Sequence, residues 1–158
     1  MEQNNFNPPG ALRLSRLIYF AMISGILFFS AVALTVIGSP GSFRPDLSDP
    51  LFIVLILLAC TSIPFGYVYS GRYMKRADAI PDLAGKYPVY QSGLIIRLAT
   101  CEGVALFSVV CCIVTGNLFP VIILVASLFC FILYYPTPGR IGNDLKLNEF
   151  DTERFYGS

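Results

Sequence analysis

One carboxylate, Glu102, stands inside an apolar run, RLATCEGVALFSVVCC, which Arg97 opens five residues earlier. A carboxylate among apolar residues suits two kinds of chemistry. It can carry a proton or a sodium ion, since hard cations take several oxygen ligands. It can also hydrogen-bond a neighbouring hydroxyl and hold helices in register. Ser24, Thr61, Ser62 and Ser127 are the hydroxyls that occupy comparable positions in other apolar runs. Other chemistries lack their residues. The chain has no histidine, so the commonest general base and metal ligand is missing. Its five cysteines, Cys60, Cys101, Cys111, Cys112 and Cys130, all lie in apolar runs without C-x-x-C spacing. They read as small buried hydrophobes rather than metal ligands or disulfides. No nucleophile–base pair or phosphate loop can be assembled, so no enzyme activity, cofactor or metal is expected. A net charge of +1 with no basic stripe argues against a nucleic-acid partner.

What positions these groups is a set of apolar segments. The chain has 158 residues, 55% hydrophobic and only 13% charged, unlike a soluble domain. Four runs, 17–37, 51–69, 94–115 and 118–135, are each about 18–22 residues long, enough to cross roughly 30 Å of hydrocarbon as a helix. A chain this short has no polar shell to bury them all as a soluble core. The first run continues through Leu34, Val36 and Ile37 and is too long for a signal peptide, so it is expected to be retained. The expected fold is therefore all-α and integral to a membrane, one domain of four transmembrane helices.

Charge sets the expected direction. Ten of the 11 Lys and Arg residues precede run one, follow run four, or lie in or beside the loop 71–92; only Arg44 lies elsewhere. The positive-inside rule then puts both termini, the loop 71–92 and the tail 136–158 in the cytoplasm of a bacterial inner membrane. In the loop, Leu83, Tyr87, Tyr90 and Leu94 recur at helical spacing, which suggests a surface segment broken by Pro88. The tail leaves the membrane at Pro136 and reads as mostly disordered.

The two halves echo each other. AMISG (21–25) aligns with ATCEG (99–103), Gly38 with Gly116, and LFIVLILLAC (51–60) with LFPVIILVAS (118–127). This suggests two parallel-repeat helical hairpins. Ala21 with Gly25, and Ala99 with Gly103, form small-xxx-small pairs, expected where runs one and three touch.

Depth distinguishes the two charges. Arg97 lies about 4–5 Å inside the inner edge of run three and is expected to act as an interface anchor, its head reaching the lipid headgroups. Glu102 lies about 12 Å deep and about 140° around the helix from Arg97, so the two are not same-face partners. Ser24, Thr61, Ser62 and Ser127 fall at roughly 10–12 Å on the same count, which makes a shared ion-binding level conceivable.

The segment ATCEGVALFSVVCCIVTGN resembles the outer-going helix of rotary ATP synthase c-subunits, the proteolipids. That resemblance covers one helix and implies an ion-carrier role for Glu102, after a basic loop holding Arg72, Lys75 and Arg76. Run two lacks the glycine-rich face of a proteolipid ring, and the loop is longer than the family's tight turn. The whole chain is more similar to small bacterial four-helix inner-membrane proteins of unassigned role. The expected function is a small accessory or scaffold subunit, packing in the bilayer as a homo-oligomer or against a larger complex. The alternative is a proton- or sodium-coupled ion-conducting protein using Glu102.

Overall fold

The computed structural model describes residues 6–37, 43–45 and 48–156. Its elements are α1 (Pro8–Ile37), α2 (Pro50–Met74) with a 3-10 turn (Lys75–Ala79), α3 (Leu83–Thr115), α4 (Val121–Leu133), α5 (Pro138–Leu145) and α6 (Glu149–Glu153). Among the described residues, three helices are long and apolar enough to cross a membrane: α1, α2 continued by its 3-10 turn, and α3. A fourth arises only if α4 and α5, bent by 83° at their junction, count as one span. Run four is shorter as a helix than its apolar length suggests. Helix α4 has 13 residues, about 20 Å, against 25 in α2. Gly38, paired with Gly116 in the sequence repeat, lies outside the described residues.

Local signals set the boundaries. Asp49 caps α2, its Oδ1 accepting from Leu51 N at 2.8 Å, with Pro50 in the first turn. Asp82 caps α3 through Gly85 N at 2.9 Å. Gly116, at φ 61°, ends α3 in a conformation that suits glycine. Pro88 does not break the segment before run three. Helix α3 runs unbroken from Leu83 for 33 residues, about 50 Å, so the expected surface segment is the first part of this helix.

Helix α3 is the centre of the fold, contacted by α1, α2 and α4, whereas α1 and α2 scarcely touch each other. One side of α3 carries Val104 and Cys111 against Phe52 and Leu55 of α2. The other carries Leu94, Leu98, Cys101, Ala105 and Val109, against Tyr19 and Ile26 of α1 and Phe131 of α4. Ile95, Ala99, Gly103 and Val110 form a strip that no other helix covers.

The tail differs most from expectation. Thr137 caps α5 and Pro138 opens it. Ile141 and Leu145, one turn apart, are buried, as is Phe155. Phe155 stacks on Tyr87 at 5.9 Å, and Phe6 lies against both rings. The tail therefore closes one end of the bundle, because its apolar residues recur at helical spacing behind a proper cap.

Candidate functional site

Glu102 lies where α3 turns from its uncovered strip toward α1. It is half-buried. A Cβ placed on Gly25 would stand 3.9 Å from its Oε1, so the carboxylate overhangs a glycine of α1. Among the described residues, no hydrogen bond or ion pair reaches it.

The hydroxyls expected at its level are not brought to it. Ser24 is exposed, and so is Thr61, whose Oγ1 donates to Leu57 O of its own helix at 2.7 Å. Ser62 is half-buried on α2. Ser127 is buried on α4, its hydroxyl without a partner among the described residues. Similar depth did not bring these oxygens together, because each helix turns its hydroxyl to a different side.

The small residues are placed differently from expectation as well. Ala21, Gly25, Ala99 and Gly103 are all exposed, and nothing lies within 4 Å of a Cβ built on Gly103. The close helix approach is between α2 and α3. A Cβ on Gly66 would stand 2.1 Å from Thr100 Oγ1, and one on Gly93 2.6 Å from Met74 Cε.

Arg97 is not a headgroup anchor. It is only 7% exposed. Its Nε donates to Ser70 Oγ at 2.7 Å, and its Nη1 to Asp144 Oδ2 at 2.9 Å. Its guanidinium lies 5.4 Å over the Tyr67 ring and 5.8 Å over Tyr134. The Ser70 hydroxyl in turn donates a hydrogen bond to Tyr67 O at 2.9 Å. A buried guanidinium is tolerated when it is both ion-paired and hydrogen-bonded, as here. The cluster joins α2, α3, the end of α4 and α5.

Further polar contacts hold the same end together. Ser15 donates to Tyr87 Oη at 2.6 Å, and Tyr87 donates in turn to Ala11 O. Arg16 Nε reaches Pro136 O at 3.5 Å. Lys146 pairs with Asp78 at 2.8 Å. Asp144 and the Tyr87 hydroxyl carry this arrangement; sequence reasoning named Tyr87 only for its helical spacing and Asp144 not at all. The available signal for Asp144 was its place in PTPGRIGNDL, beside the Ile141–Leu145 pair.

All five cysteines are free thiols, and among the described residues no group of three or more His, Cys, Asp or Glu could hold a metal. No protein-family model matches the chain, and no curated protein or solved structure is significantly similar to it. Fold and site together define a class: an all-helical chain with apolar helices long enough to cross a membrane, latched at one end, with a carboxylate that has no partner among the described residues beside an open helix face.

Proposed function

We propose that this chain is a small four-span accessory or scaffold subunit of a bacterial inner membrane, with both termini cytoplasmic. It packs in the bilayer against a helix of a larger membrane complex or of another copy. In this reading the echo between the two halves relates α1 and α2 to α3 and α4 as parallel repeats; α3 and α4 pack as a hairpin, whereas α1 and α2 meet through α3. One observation carries the reading: the α3 strip of Ile95, Ala99, Gly103 and Val110, uncovered between α1 and α2, has Glu102 at its edge. Small residues allow close helix approach, and lipid cannot satisfy a carboxylate at that depth.

The test is a photo-crosslinking residue placed at Gly103 in native membranes, with Leu57 on the outer face of α2 as control. Protein adducts at 103 and none at 57 are expected. Lipid-only labelling at both positions would remove the interaction role. The c-subunit-like resemblance supports a second reading, in which Glu102 carries a proton or sodium ion. The specific observation behind it is that neither carboxylate oxygen has a hydrogen-bond or ion-pair partner among the described residues. Glu102→Gln separates the two: an accessory contact keeps its adducts, whereas an ion carrier loses sodium- or proton-dependent transport in vesicles.

A further inference from the structure

We propose that the corner where α4 turns into α5 binds a phosphate group, presented by the headgroup of an anionic phospholipid. The two helices meet at 83° and leave an open cleft of about 590 Å³. Ile132, Tyr135 and Thr137 line its membrane side, and Arg140, Asn143 and Asp144 its polar side.

Charge bookkeeping decides what fits there. Asp144 is committed to Arg97 at 2.9 Å. Lys146 is neutralised by Asp78, and Arg154 lies 3.7 Å from Asp151. Arg140 forms no ion pair among the described residues. Arg16 forms none either among the described residues, and its guanidinium sits 5.7 Å over the ring of Tyr135, which lines the cleft. Arg140 in the cleft and Arg16 across Tyr135 are thus two cations with no ion pair among the described residues, near an amide that donates hydrogen bonds. A guanidinium matches phosphate oxygens in geometry as well as charge.

Position favours a lipid over a free anion. Along α4 above the cleft, Phe129 and Ile132 are 59% and 63% exposed, an apolar track for an acyl chain. Basic pockets at the ends of membrane helices suit anionic headgroups.

The test uses the purified full-length chain in mild detergent. Phosphatidylglycerol and phosphatidylcholine of matched acyl chains are added, and retained lipid is counted by native mass spectrometry. Selective retention of phosphatidylglycerol is expected. Arg140→Gln should reduce it by about fivefold, the ~1 kcal/mol that one basic residue contributes near an anionic surface, at 1.4 kcal/mol per tenfold. Arg140→Lys should keep most of it, and Asn143→Ala should weaken it by less than Arg140→Gln. Lys75→Gln, which removes an exposed cation away from the cleft, should leave retention unchanged. Equal retention of both lipids, or an equal loss in Lys75→Gln, would overturn the site. Displacement of phosphatidylglycerol by millimolar inorganic phosphate would overturn its assignment to lipid. The Arg140 side chain makes no hydrogen bond or ion pair among the described residues, so its variants are expected to fold as the parent does.

Discussion

Replacing Gly66 with alanine tests where the bundle is tightest. The added Cβ would stand 2.1 Å from Thr100 Oγ1 and 2.8 Å from both Cβ and Cγ2 of that residue, where ordinary contact begins at 3.4 Å. Turning Thr100 about χ1 does not help, since its Cβ stays in place. Its hydroxyl is also held by Arg97 O at 2.9 Å and Ile96 O at 3.2 Å. Helices α2 and α3 must therefore part by roughly 1 Å, and overpacking of this kind costs about 1–3 kcal/mol. Parting them also stretches the Arg97–Ser70 bond, one turn away at 2.7 Å. In lipid, close van der Waals contact holds helices together, so the loss is not offset by burying apolar surface. The assay is reversible unfolding in mixed micelles, run as a double-mutant cycle. Gly66→Ala should cost about 1–3 kcal/mol beside Thr100 and almost nothing in a Thr100→Gly background, where all three obstructing atoms are gone. Gly103→Ala should be close to neutral, because its surroundings are open. Equal costs for Gly66→Ala in both backgrounds, or for Gly103→Ala and Gly66→Ala, would refute this packing.

Two further substitutions probe the latched end. Asp144→Ala strips a buried guanidinium of its counter-charge and should cost about 3 kcal/mol, the low end of the range for buried pairs because the aspartate side chain is 23% exposed. Faster hydrogen exchange in α5 should accompany it, the double variant Arg97→Met/Asp144→Ala should recover much of the loss, and unchanged α5 exchange would show that the pair does not hold the tail. Tyr87→Phe removes two hydrogen bonds and leaves the buried Ser15 hydroxyl without its acceptor, which should cost about 1–2 kcal/mol in the same titration.

Helix type was plain in the sequence because apolar runs long enough to span are hard to mistake. The all-helical architecture and the break at Gly116 follow from it. Helix faces were harder to see. The Ala21–Gly25 and Ala99–Gly103 pairs have the spacing of close helix contacts, yet spacing says only that two small residues share a face, not what that face meets. Gly93 had no such partner in sequence, and Gly66, flanked at that spacing by Ser62 and Ser70, was not singled out; both make the tight contacts, because Thr100 and Met74 on the opposing helices complete them. The tail was misread for a related reason. Composition marked 136–158 as polar, while Ile141, Leu145 and Phe155 supply just enough apolar surface to dock on a preformed bundle end.

The two charges that framed the sequence problem part company on α3. Five residues apart, they stand about 140° from one another around the helix, so they cannot serve one site. Arg97 turns toward α2 and the tail, and its partner arrives from Asp144, 47 residues further on. The nearest carboxylate in sequence is thus not the one that neutralises it. Glu102 turns toward α1 and meets a glycine, which offers neither a donor nor a charge. Fold stability explains Arg97 completely: it ties four elements together, and its burial is matched by its bonds. The same argument fails for Glu102, since deleting its carboxylate would break no contact among the described residues. A costly group that forms no bond within the described part of its own fold is what the proposed function uses: a helix or an ion that comes to the open side of α3 would supply its missing partner.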